Sequence, residues 1–300
     1  MAKLIFGCGY LGRRVGRLWL AGGDDVFVVT RSPNRAEQLA AEGFQPLVAD
    51  ITSDTFTADT LAAGESPLSL PKSIKTVLFA VGYDRGGSGS IHDVYVGGLG
   101  RVLVQLPPAV QRLIYISSTG VFGQAAGDQV DEDSACQPTR EGGRACLAAE
   151  QLLQSSLLAD RSIILRLAGI YGPARIPRSK DLLAGRPIDA PAAGWLNLIH
   201  VEDAARIVLA AEQQAEPPKL YVVSDGQPVL RDNYYRHLAN LLGSPAPRFV
   251  EPPADSPAAA RAGSDKRVNP WRLYSELSPE LLYPSYREGL AAIVAEQAPA

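Results

Sequence analysis

The chain has 300 residues, 46% hydrophobic and 20% charged, which describes a globular protein with one large core and a smaller attached one. A formal net charge of -3 with no basic block excludes a nucleic-acid surface built on charge. No apolar run approaches the about 18 residues of a membrane span, and the first one is too short for a secretory signal.

Strand-like and helical patterns alternate through the first two hundred residues. Residues 3–9 read as a strand and 10–23 as a helix ended by glycines. A strand follows at 25–32, then a helix at 33–43 with proline in its first turn. Strands are expected at 44–51 and 75–82, the latter after a Pro/Ser-rich loop. A helix is expected at 91–106, a strand at 112–118, a helix at about 142–157 and a strand at 162–170. Apolar runs rich in Val, Ile and Leu fit parallel strands covered on both faces. The fold class is therefore α/β, with a Rossmann-type doubly wound parallel sheet.

Beyond about 172 prolines cluster and regular alternation stops. Helices are expected at 201–214, 230–243 and 286–297, with a strand at 219–226. The domains expected are a dinucleotide-binding region over 1–171, which also receives parts of 195–225, and a smaller substrate region or lid over 172–300.

The first strand runs into "GCGYLG", Gly7-Cys8-Gly9-Tyr10-Leu11-Gly12, with a helix after it. Glycines permit a tight turn and close backbone approach, and the helix amino end attracts a pyrophosphate. NAD binders place an acidic residue about 20 positions further on. Here that place holds Thr30 and Arg31, with Arg35 one turn later. Arginine suits a 2′-phosphate, so NADP is preferred over NAD. The alternative for both arginines is ordinary solvated charge. Cys8, Cys136 and Cys146 are an odd set at no metal spacing. No metal is expected, and free thiols point to a reducing compartment, by default the cytoplasm.

Several segments occur together and in order: "KLIFGCGYLG", "LVADI" (47–51), "FAVG" (79–82), "LIYISSTGVFG" (113–123), "ILRLAGIYGPAR" (164–175) and "LNLIHVEDAA" (196–205). With them the chain resembles the extended short-chain dehydrogenase/reductase superfamily, in its NAD-dependent epimerase/dehydratase branch. The resemblance implies that Asp50 and Ile51 flank the adenine, by hydrogen bond and by packing. It runs Ala80, Val81 and Gly82 along the adenosine ribose. It places Ser117 beside the cofactor, and makes Ser118, or alternatively Thr119, the hydroxyl on the substrate oxygen. Ala168 and Ile170 would border the nicotinamide. Asn197 and His200 would lie where the substrate region meets the sheet. Satisfying backbone groups is the competing role for the three hydroxyls, and a structural role for His200. Arg175, Arg178, Lys180, Trp195, Lys266 and Arg267 are candidates for an anion- or sugar-binding wall. Dimerisation through helices 91–106 and 142–157 is expected of this build.

The family's acid–base pair, Tyr-x-x-x-Lys, is missing. Its register puts Gly142 and Cys146 there, before Ala148, Ala149 and Glu150. None of the eleven tyrosines has a lysine four residues later, and no lysine lies between Lys75 and Lys180. The chain is thus an atypical member. Tyr171 is the preferred replacement acid, with Tyr83 a second candidate; Arg140 and Arg144 could stabilise an oxyanion but not donate the proton, and Cys146 reads rather as a buried inert thiol. Two functions stay open. One is an oxidoreductase or epimerase acting on a polar carbonyl, hydroxyl or sugar-nucleotide-like small molecule. The other is a non-catalytic NADP(H)-sensing regulator or scaffold.

Overall fold

A computed structural model describes residues 1–53, 56, 70–84, 86–87, 89–256, 258–259, 263 and 265–297. The Pro/Ser-rich loop expected before residue 75 falls largely outside them.

In chain order the first half comprises β1 (Ala2–Phe6), α1 (Gly12–Ala21), β2 (Asp25–Thr30), α2 (Pro33–Ala41), β3 (Gln45–Val48), β4 (Ile74–Phe79), α3 (Gly98–Gln105), β5 (Arg112–Ser118), β6 (Asp128–Val130), α4 (Glu141–Gln154) and β7 (Ser162–Leu167). There follow β8 (Gly169–Tyr171), α5 (Ser179–Leu183), β9 (Ile188–Asp189), β10 (Trp195–Leu196), β11 (Leu198–His200), α6 (Val201–Gln214), β12 (Lys219–Val223), β13 (Val229–Leu230), α7 (Arg231–Leu242), β14 (Phe249–Val250), β15 (Lys266–Val268), α8 (Trp271–Leu277) and α9 (Tyr286–Gln297). A seven-stranded sheet has the order β12-β7-β5-β4-β1-β2-β3. β1 pairs in parallel with both β2 and β4, and the strand order reverses there. In open α/β sheets such a reversal opens the crevice that takes ligands.

The chain divides into two compact units, one of residues 1–117, 144–165 and 205–220, the other of 118–143, 166–204 and 221–300. This division differs from the boundary expected at 171. Segments 118–143 and 166–171 fall in the second unit, where β6 of the first pairs with β15 and β8 of the second with β11.

In the first unit every residue of β1 is buried, as an apolar strand covered on both faces requires. α1 buries Gly12, Val15, Gly16 and Trp19, one stripe at helical spacing. The buried Lys3 ion-pairs with Glu212 of α6, which also accepts from Trp19 Nε1 at 2.7 Å and Thr76 Oγ1 at 2.7 Å. A charged pair can stay in this core because the remaining acceptor sites of the carboxylate are filled. The helix expected over 91–106 starts at 91 and runs through a π-helical turn at Asp93–Gly97 before α3.

In the second unit Tyr171, Leu182, Ile188, Leu198, Tyr234, Leu238, Tyr286 and Leu290 form the core. Short strands pair around it: β8 with β11, β10 with β13, β14 with β9, and β15 with β6. Asn197 ties two of them together. Its Nδ2 donates to the Lys266 carbonyl at 2.8 Å, and its Oδ1 accepts from Val268 N at 2.7 Å.

Candidate functional site

The chain leaves β1 and turns through Gly7, Cys8 and Gly9 before α1. Gly7 has φ +88°, where L side chains are strained, and a Cβ there would strike the Ala80 carbonyl. A Cβ on Gly12 would strike the Gly7 carbonyl, so α1 lies on the turn at backbone distance. Gly9 differs: nothing stands within 4 Å of its Cβ direction. Two glycines close the turn and the third leaves space beside the amino end of a ten-residue helix. Unpaired N–H groups and the helix dipole favour an anion there, so these residues fit a dinucleotide pyrophosphate. Leu11 is buried, and Tyr10 carries the Arg14 guanidinium 4.4 Å from its ring centroid. Burial pushes the Cys8 thiol up to about 11, against the pull of Arg35.

Arg31 closes β2, half exposed, with its guanidinium 3.9 Å from the Asp84 carboxylate. Arg35 donates its backbone N–H to the capping Ser32 and its Nη1 to Gln38 at 3.0 Å. Asp50 Oδ1 accepts from Thr52 N at 2.9 Å and Thr52 Oγ1 at 2.7 Å. Ile51 is buried in the core, where its Cδ1 would stand 3.0 Å from a Cβ on Gly98. Ala80 and Val81 are half-buried, and Gly82 is exposed with open space at its Cβ direction.

Ser117 is buried and donates to the Glu150 carboxylate on α4 at 2.5 Å. Ser118 is half-buried, and its Oγ accepts from Gly120 N at 3.0 Å, capping the short turn Thr119–Val121. Hydroxyls at strand ends do this readily. A Cβ on Gly143 would strike the Gly120 carbonyl, so the first turn of α4 packs there without a side chain. Cys146 is buried at the position of the family's lysine.

The expectation for Tyr171 as the replacement acid is corrected. Its side chain is fully buried, its hydroxyl donates to the Ser285 carbonyl at 3.3 Å, and its ring meets His200 edge-on at 5.2 Å. Burial raises its pKa well above the ordinary tyrosine value, with Asp225 adding to the effect. It is a core residue with its proton engaged. Ala168 is buried, and its N–H donates to the Val223 carbonyl, while Ile170 is half-buried opposite Ile199. His200 is buried, with Nδ1 accepting from Glu202 N at 3.3 Å, as a structural histidine at a helix start would be.

Three groups in the second unit stand out. Lys266 is buried, donates to the Phe122 carbonyl at 3.1 Å, and is pulled down to about 8 by burial and then by Arg140. Asp225 is buried, with Oδ1 accepting from Gln227 N at 2.9 Å and its carboxyl pushed up to about 7 by burial. A cavity of about 550 Å³ is lined by Arg178, Asp189, Trp195, Asn197, Arg231 and Tyr235 among others. Of the expected wall, Arg178 and Trp195 line it and Arg267 covers the Trp195 ring at 5.6 Å. Arg231 was not singled out from the sequence, although one signal existed. It opens α7, where the helix dipole disfavours a cation.

Among the described residues no helix is long and apolar enough to cross a membrane, and no cluster of three or more His, Cys, Asp or Glu side chains is placed for a metal.

The fold and the turn define a dinucleotide-binding α/β protein. Residues 99–224 match the model of the NAD dependent epimerase/dehydratase family, and residues 4–60 that of the TrkA-N domain. Over 99% of both chains it is similar to a functionally unknown conserved protein from Silicibacter pomeroyi, at 29% identity and TM-score 0.78. A Methylobacillus flagellatus protein assigned to the NAD-dependent epimerases/dehydratases matches at 28% identity and TM-score 0.74, covering 99% of this chain and 98% of that one. MoeE5 in complex with UDP-glucose and NAD shares the fold at 20% identity, with TM-score 0.75 over 99% of this chain and 98% of that one. Protein YeeZ of Escherichia coli is 31% identical over 176 residues, 58% of this chain and 60% of that relative's length. A 3-diazoavenalumate denitrifying reductase from Streptomyces is 30% identical over 165 residues, 49% of this chain and 51% of that relative. Residues 99–224 are thus similar to the NAD-dependent epimerase/dehydratase family over less than half of the chain, the solved structures above share its fold over nearly all of it, and the chain carries no Tyr-x-x-x-Lys.

Proposed function

We propose that the chain is an NADP(H)-dependent oxidoreductase of a polar small molecule, working in the cytoplasm without the family's usual proton relay. The carrying observation is the Gly7–Gly12 turn, in which Gly9 alone faces open space. When bound, the nicotinamide supplies or accepts a hydride. Gly9 and the amino end of α1 hold the pyrophosphate. Arg31 and Arg35 take the 2′-phosphate; support comes from the half-exposed guanidinium of Arg31 and the pull of Arg35 on Cys8 beside the turn. Asp50 retains Oδ2 for the adenosine, since both contacts from Thr52 fall on Oδ1.

Losing a positioned acid costs about 10²–10⁴-fold on a carbonyl substrate. The reading therefore favours a substrate that takes an electron pair without prior protonation. The name of the Streptomyces relative, a 3-diazoavenalumate denitrifying reductase, is in keeping with that. Ser118 remains the hydroxyl nearest the reaction in this scheme, and Thr119 its alternative. The sensor or scaffold reading draws on Gly142, Cys146 and the buried Tyr171.

Calorimetric titration with NADPH and NADH tests the proposal. NADPH should bind tighter, Arg31→Asp should narrow or invert the difference, and Gly9→Val should remove binding from a folded protein. Unchanged binding in folded Gly9→Val would sink the cofactor assignment, and equal affinities would sink the preference. The expected homodimer is a separate matter, and a monomer mass at micromolar concentration in sedimentation would count against it.

A further inference from the structure

The cavity of the second unit has an unusual wall. Arg231 is 6% exposed, and no carboxylate among the described residues lies within ion-pair distance of it. Its Nη1 donates to the Pro191 carbonyl at 2.6 Å and to the Ala193 carbonyl. That uses both hydrogens of one nitrogen. Nε and Nη2 have no acceptor among the described residues, and Arg231 is one of the residues that line the cavity. A buried guanidinium without a counter-ion is costly, and the amino end of α7 adds to the cost. One edge of a planar fork is left, the shape that takes a two-oxygen anion side by side.

The rest of the lining limits the charge of that anion. Arg178 is already engaged by Asp181 at 3.1 Å. Asp189 contributes a carboxylate to the same wall, and Asp265 stands close by with its Oδ1 accepting from Trp195 N at 2.7 Å. One unpaired cation beside these carboxylates suits a single negative charge and opposes a diphosphate. Trp195 and Tyr235 supply aromatic surface, which suits a ring. The volume of about 550 Å³ lies within the range of small-molecule sites.

We propose that this cavity binds a small ring compound bearing one carboxylate, with the acid group on Nε and Nη2 of Arg231 and the ring against Trp195 and Tyr235. This names the substrate class of the oxidoreductase reading and rests on it for function. The binding itself is measured without nucleotide, so its failure and a failure of cofactor binding are separate results.

The test is calorimetry on the full chain with cinnamate, its neutral amide and UDP-glucose. Cinnamate should bind one to one, and the amide at least about tenfold more weakly, since a charge-assisted fork is lost. UDP-glucose should bind more weakly than cinnamate. Arg231→Gln should lose about as much affinity as the amide does. Should that variant fail to fold because Arg231 also ties down the 191–193 carbonyls, Ala190→Phe fills the cavity with Arg231 in place and should abolish binding. The proposal is overturned by no cinnamate binding at millimolar concentration, by equal affinity for acid and amide, by tighter binding of UDP-glucose, or by undiminished affinity in either folded variant.

Discussion

Asp225 shows what a single buried carboxyl does to this protein. It follows β12, its Oδ2 has no partner among the described residues, and its carboxyl is pushed up to about 7 by burial. The folded chain therefore holds a proton that the unfolded chain releases above about pH 4. Stability contributed by this group is full below that pH and is lost as pH rises towards about 7. Asp225→Asn keeps an acceptor for Gln227 N and cannot ionise. Urea midpoints measured across this window should fall with pH in the parent and fall less in the variant. Parallel pH profiles would show that Asp225 stays charged throughout. Such a residue is invisible in the sequence, where Asp225 falls near the end of the strand expected over 219–226 and nothing marks its carboxyl as buried. The roles of Gly7 and Gly12 are legible, because they depend on a strand, a turn and a helix that adjoin in sequence. The burial of Tyr171 is hidden for the opposite reason. Whether a tyrosine at a strand end faces a cleft or a core depends on His200, Ser285 and Gly289, which arrive up to 118 positions later.

At the level of elements, α6 does more than cover the sheet. Its Glu212 gathers Lys3 of β1, Trp19 of α1 and Thr76 of β4 on one carboxylate. The carbonyl of its Ala211, and that of Ala215 just beyond its end, accept from Arg112 of β5. Removing one partner of a buried ion pair strands the other, at about 3–5 kcal/mol. Glu212→Ala should lower unfolding free energy by that amount in urea denaturation, and pairing it with Lys3→Met should recover much of the loss. A double variant no better than the single would mean the lysine reaches water or Asp24 instead. The bounds of α6 were legible from an apolar stripe over 201–214. The small strands β9, β10, β13, β14 and β15 were not, since runs of two or three residues carry no periodicity and form only where a partner strand is presented.

For the whole molecule, the alternation of strand and helix was enough to give the doubly wound sheet, and the chain's path between units was not. Each unit is assembled from three separate stretches of sequence. A fragment of residues 1–171 lacks 205–220, and with it Glu212 and both carbonyls that hold Arg112. Expressed alone it should show no cooperative thermal transition by circular dichroism. A sharp melt near that of the full chain would show that α6 is dispensable. The same pairing has a consequence for synthesis. Lys3 is made well before its counter-ion, which lies 209 positions later. At about 5–20 residues per second, that is a wait of about 10–40 s. Through that interval the Lys3 ammonium has Asp24, 3.8 Å away in the folded chain, but not the buried Glu212, so full burial of the first strand should wait for α6. The ion pair should therefore tie closure of the first unit's core to the synthesis of α6.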